Sequence, residues 1–164
     1  MINLRNLFLV ACLVLMENAS AQSWRYVDIA DDRVDFVLER VPGRLSVGHR
    51  TFSVQYCGEE DAFLCFRSEA ASFSIPKSLA RSRDSVPTRW NHGGYEYALQ
   101  RVRNAQFLGR KMKVYVIESV GSKPSFQFFF SPSRGLVAIK LKAGSSQPLV
   151  LEASCGFGAS RACR

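Results

Sequence analysis

Apolar residues recur at every second position through much of this chain, and long helical periodicity is missing. A polypeptide patterned in this way buries its apolar side chains by forming sheets with one face inward. Phe52, Val54 and Tyr56 alternate with Thr51, Ser53 and Gln55; Val34, Phe36 and Leu38 alternate with Asp35 and Glu39, although Val37 breaks that set. A third run, Ala62 to Phe66, follows the polar turn Gly58-Glu59-Glu60-Asp61, which has hairpin length. Phe73 and Ile75 form a short strand that Pro76 ends, because proline cannot donate to a ladder.

Lys77 to Asn91 interrupts the pattern. It is rich in Arg and Ser, carries Pro87, and is predicted to hold one helical turn, Lys77 to Arg81, and otherwise loop. Alternation resumes at Tyr95, Tyr97 and Leu99, then at Met112, Val114 and Val116, at Ser125 to Ser131, and at Leu136 to Leu141 after the Pro132-Ser133-Arg134-Gly135 turn. These last three runs read as a meander, and Leu149 to Leu151 supplies a final strand. About nine short strands with turn chemistry between them predict an all-β, mainly antiparallel sandwich, barrel or strongly curved sheet with at most one short helix. An α/β fold is excluded, since no amphipathic helices alternate with the strands. The strand holding Phe126, Phe128 and Phe130 on one face and Phe129 on the other is either buried on both faces or lines a ligand cavity. With 12 phenylalanines in the chain, core packing is the reading taken.

The first residues address the chain. Arg5 lies in a short polar start, an apolar run follows from Leu7 to Met16, and Ala19-Ser20-Ala21 closes the segment with small residues suited to a signal peptidase. Residues 1–21 therefore read as a bacterial-type export signal cleaved after Ala21, leaving residues 22–164 as a single domain in the periplasm or outside the cell. The run is too short to span a bilayer core of about 30 Å. Leu9-Val10-Ala11-Cys12 resembles a lipid-attachment box, but the apolar run continues past Cys12, so soluble export ranks first.

The mature chain keeps Cys57, Cys65, Cys155 and Cys163, two close pairs with a spacing of 8. Four cysteines allow three connectivities. Cys57 and Cys65 flank a hairpin turn and Cys155 and Cys163 flank a flexible Gly-containing segment, so local bonds, 57 to 65 and 155 to 163, are expected. Each small loop contributes roughly 2.5 kcal/mol on the chain-entropy model, as a clip on a core that the chain is long enough to build. The pair spacing does not suit a structural zinc site, and bonded sulfurs are not nucleophiles. No cofactor or metal motif is present, so none is expected.

The formal net charge is +8, mostly arginine, whose planar guanidinium pairs bidentately with carboxylate and phosphate. Partners are expected to be anionic or neutral: acidic envelope polymers, lipid phosphates or an acidic protein patch would suit the charge, and the competing explanation is that a basic balance simply maintains solubility. No recognition-helix or RNA-binding motif points to nucleic acid. Lys77, Arg81, Arg83 and Arg89 with Trp90, His92 and Tyr95 combine cations and rings in a predicted loop, a candidate ligand-binding surface. The competing explanation is a solvated loop whose Trp90 plugs the core edge. His-Gly-Gly at 92–94 resembles the oxyanion loops of lipases only weakly, without the nucleophile turn such enzymes need. His49 falls on an apparent strand, and Glu59, Glu60 and Asp61 fall in a solvated turn. The Cys155 to Cys163 loop, carrying Phe157 and Arg161, is a candidate partner loop, since a constrained loop loses less entropy on docking, although an inert chain-end staple is the reading preferred for it.

The sequence thus reads as an exported, non-enzymatic envelope protein that binds an anionic envelope component or a protein partner. The alternatives are a small secreted hydrolase or effector acting on an anionic polymer, and an inhibitor or immunity protein presenting the terminal loop.

Overall fold

The computed structural model describes residues 22–31, 35–81, 88–107, 109–121, 124–142, 147–160 and 163, without the side chains at 80 and 81. The export segment 1–21 and the lipid-box Cys12 lie outside the described residues. Strands β1 (Ser23–Val27), β2 (Asp35–Glu39), β3 (Arg44–Val47), β4 (Arg50–Ser53) and β8 (Arg89–His92) to β13 (Leu149–Leu151) form one sheet. Within it β9 is Tyr95–Phe107, β10 Arg110–Val120, β11 Phe126–Ser131 and β12 Gly135–Leu141. Its spatial order is β4-β3-β2-β1-β13-β12-β11-β10-β9-β8. A second sheet, β5-β6-β7, consists of Gln55–Tyr56, Phe63–Arg67 and Ser72–Pro76, and the one described helix, α1 (Lys77–Arg81), follows it. Every strand pair is antiparallel.

The expected all-β class and the β10-β11-β12 meander are both present. Of the three forms considered, the sheet is open and curved, with the small sheet in its concavity. The curvature follows from two hydrogen bonds. Tyr56 of β5 donates to the Glu39 carbonyl of β2 at 2.8 Å, and Trp90 of β8 donates to the Ser74 carbonyl of β7 at 3.1 Å. β2 and β8 stand seven spacings apart in the sheet order, or about 34 Å if flat, whereas β5 and β7 lie about 10 Å apart. Both contacts are possible only if the large sheet curls around the small one.

Two bulges help it bend. Register shifts at Val116/Ile117 opposite β9 and at Phe129/Phe130 opposite β12 leave Gln100 and Val137 as the extra residues. Val116 pairs with Phe129 and Ile117 with Phe128, so the two irregularities lie at one level across four strands. Bulges bend and twist the strands that carry them, and these two act on either flank of the central β10–β11 pair.

The enclosed core is aromatic. Phe66, Phe73, Phe128, Phe130 and Tyr97 are fully buried, with Trp24, Phe36 and Phe157 nearly so. Phe73 meets Phe128 edge-on at 5.0 Å between ring centres, and Phe157 meets Trp24 at 5.3 Å and Phe66 at 5.5 Å. Each fully buried ring is worth roughly 1.5–3 kcal/mol relative to exposure. Phe128 and Phe130 thus take the core role, while Phe129 joins a separate small cluster with Met112, Val114 and Val137 on the outer face.

Several local expectations are corrected. Phe52 to Tyr56 is two strands, because Val54 leaves the ladder to donate to the Gly43 carbonyl and the chain changes sheets there. Arg89 to Asn91 is strand, held by Trp90↔Tyr97 pairing, and not loop. His49 is exposed in the β3–β4 turn after Gly48, not on a strand. β1 and β3 add strands that the nine-strand reading lacked.

Candidate functional site

The basic aromatic segment does not converge on one site. Trp90 is 8% exposed, stacks on Tyr97 at 5.9 Å, and uses its Nε1–H on the Ser74 carbonyl. It is a core residue, since an indole with its one donor satisfied gains by burial. Tyr97 shares a 2.9 Å hydrogen bond with Ser72, and burial pushes its phenol up to about 12. On the opposite face of β8, Arg89 pairs with Glu96 at 2.7 Å; both side chains are exposed, so the pair is worth at most about 1 kcal/mol. Lys77 donates to the carbonyls of Gly58 and Glu59 and ties α1 to the first disulfide loop. Arg83 and the Arg81 side chain lie outside the described residues. His92 and Tyr95 do meet, as the last pair before a two-residue turn.

That turn explains the His-Gly-Gly string. Gly93 and Gly94 have φ of 61° and 81°, the left-handed pair that a tight type I′ hairpin requires. His92 stacks on Phe63 at 4.3 Å, lies 3.9 Å from Cys57 Sγ, and faces the Arg67 guanidinium that packs on Gly93. Burial, and then Arg67, hold its pKa below the ordinary histidine value against the opposing pull of Asp61. Cys57, Cys65 and His92 bring three potential ligand atoms within 4.8 Å of one another. Metals take thiolates, and Cys57 and Cys65 are bonded to each other, with Cα atoms 5.2 Å apart. In this state the set offers a metal only the imidazole.

Cys155 and Cys163 are also bonded, with Cα atoms 5.8 Å apart. Their loop folds inward. Phe157 is 5% exposed, its carbonyl accepts from the Leu136 N–H at 2.9 Å, and Gly156 donates to the Arg134 carbonyl at 2.8 Å. The candidate partner-loop residue Phe157 is therefore a core ring, and Arg161 lies outside the described residues. In the other loop Asp61 accepts from the Gly58 N–H at 2.5 Å, fixing an exposed acidic turn.

The surface that sequence reasoning passed over is the outer half of the β9–β10 hairpin. Beyond the Gln100 bulge β9 is exposed from 101 to 104 while Val114, Tyr115 and Val116 opposite it stay buried, and Arg101, Arg103, Arg110, Lys111 and Lys113 are all exposed, with no Asp or Glu from 101 to 113. Arg103 lies 5.9 Å above the Phe129 ring and Lys113 lies 5.4 Å from the Tyr115 ring, contacts that orient these cations without neutralising them. The acid-free run itself was the legible signal. It falls partly within strand-like alternation, where attention goes to the apolar partners. Comparison with protein-family models, curated proteins and solved structures finds no match to this chain.

Proposed function

We propose that this is an exported, non-enzymatic binding protein of a bacterial cell envelope that recognises an anionic envelope component through the outer β9–β10 hairpin. The carrying observation is that this hairpin strip holds five exposed cations without a carboxylate among them, Arg101, Arg103 and Arg110 on the face that carries Phe129 and Lys111 and Lys113 on the face that carries Tyr115. Such a strip concentrates positive potential where strand backbone fixes its spacing, which steers and retains polyanionic surfaces. Two disulfides accord with an oxidising compartment. No helix among the described residues is long and apolar enough to cross a membrane. The export pattern of residues 1–21 supplies the address. Burial of Phe157 counts against an inhibitor that docks by its terminal loop.

The test is retention of the mature, oxidised protein on phosphatidylglycerol vesicles, with phosphatidylcholine vesicles as neutral control. Binding is expected at about 0.05 M salt and release at about 0.5 M, where screening is short-ranged. The quadruple change Arg101→Ser, Arg103→Ser, Lys111→Ser and Lys113→Ser should abolish it. Equal retention by that variant, or none by the native protein at low salt, overturns the assignment.

A further inference from the structure

The small sheet does not fill the whole concavity. At the Ser68–Ala71 turn, closed by the Ser68 N–H on the Ala71 carbonyl at 3.0 Å, it stops, while the inner face of the large sheet continues. There it encloses a cleft of about 570 Å³. Phe126, Ile139 and Leu149 form its floor, and Phe36, Val47 and Phe52 form a wall. Register puts them on one face: Leu149 pairs with Ile139, Val47 with Phe36, and Arg50 with Val47. Phe126 thus belongs to the cavity and its neighbours Phe128 and Phe130 to the core, so both readings of that strand hold for different residues.

The size falls in the range of about 300–1,000 Å³ typical of sites for small apolar molecules. Water against such walls finds few hydrogen-bond partners and is readily displaced by an apolar guest. The cleft also has a polar rim. Arg50 sits 5.3 Å over the Phe52 ring and, among the described residues, has no carboxylate partner. Asp28 and Glu69 line the same rim; Asp28 is committed to its own turn, accepting from the Ala30 N–H at 2.8 Å. With Asp28 and Glu69 beside it, Arg50, the one rim cation among the described residues, tolerates at most a single negative charge paired directly with its guanidinium, and the rim disfavours a multiply charged head.

We propose that this cleft holds the acyl chain of a singly anionic amphiphile, the chain lying along Phe126, Ile139 and Leu149 and the head group at Arg50. The site is separate from the cationic hairpin and stands or falls independently of it. The head chemistry is shared by a free fatty acid and a lysophospholipid. Calorimetric titration of the mature, oxidised protein with dodecanoate and with lysophosphatidylglycerol, each below its micelle concentration, tests the proposal and tells the two sources apart. Saturable binding of either ligand with one site per chain is expected.

Val47→Trp, which fills the cleft, and Phe52→Glu, which charges its wall, should each weaken binding at least about ten-fold, as loss of several buried methylenes requires. Each variant is first checked for an unchanged cooperative thermal transition, and having two keeps the test open if one fails to fold. Arg50→Gln should weaken dodecanoate binding several-fold while leaving dodecanol binding unchanged. Glu60→Ala, in the exposed turn of the first disulfide loop, should bind as the native protein does. Absence of binding to the folded native chain, or binding indifferent to the filled and charged clefts, overturns the proposal.

Discussion

The two disulfide loops have the same sequence separation of 8 and opposite characters. The Cys57–Cys65 loop carries Glu59, Glu60 and Asp61 in solvent and closes on its own backbone and on Lys77. The Cys155–Cys163 loop carries Phe157 into the core, where its ring meets Trp24, Tyr56, Phe66 and Phe73. Equal loop lengths give nearly equal entropic contributions on the chain model, so any difference in their worth comes from what each loop holds in place. The loops also touch, since Gly158 of one packs on Leu64 of the other.

The sharpest break of this comparison is Phe157→Ala, which should cost about 3–5 kcal/mol as a large buried ring is lost. In the other loop Glu60→Ala should change stability by no more than about 0.5 kcal/mol. Urea titration of both variants measures the contrast, and similar values would erase it. Next come the bonds themselves. Replacing Cys57 and Cys65 by Ser should cost about 2.5 kcal/mol, and replacing Cys155 and Cys163 should cost more, because the loop that seats Phe157 is freed. If the first replacement proves the costlier, the second loop holds its place without its bond.

The contact between the loops is a smaller effect. Gly158 has φ of 75°, and a Cβ there would lie 2.1 Å from Leu64 Cδ2. Gly158→Ala should cost about 1–2 kcal/mol for the left-handed backbone, plus a steric part that Leu64→Ala relieves. A double-mutant cycle separates the two. The smallest effect is the titration of His92. Its folded pKa lies below the ordinary 6.5, so the unfolded chain binds the proton more readily and stability falls as pH drops through that value. Above it the native protein and His92→Gln should keep a constant difference in unfolding free energy; below it the native protein alone should lose this increment. A parallel pH course for both would assign the acid sensitivity elsewhere.

Much of the fold was legible because alternation reports one buried face. β2, β7 and the β10–β12 meander announce themselves by it, β6 by its apolar run behind a polar turn, and the cysteine pairs announce their hairpin and their loop. What escaped has physical causes. Phe52, Val54 and Tyr56 keep perfect alternation across a point where the chain changes sheets, because both sheets face the same core. In β8 the polar residues Arg89, Asn91 and His92 surround one buried ring, so the strand depends on its partner for its shape. For the candidate surfaces, residue type was a poor guide. Cations beside rings suggested a site at 77–95, yet Trp90 was needed inside and Arg89 had a carboxylate opposite it. The cationic hairpin depends on which positions of two long strands the fold leaves exposed, and the cleft depends on where the small sheet stops. Both are properties of assembly, and no local window contains them.

The seam between β1 and β13 carries a consequence in time. Tyr26 pairs with Leu151 and Val27 with Val150, and through this ladder the N-terminal four-strand meander joins the C-terminal six. The first described strand therefore waits for the last. Until residues near 150 are available, β1 presents an unpaired edge, the kind that recruits other chains. Pairings so distant along the chain also slow folding. Whatever guards this protein on its way to the folded state has to guard that edge, and a chain ending before Leu149 would leave it open permanently.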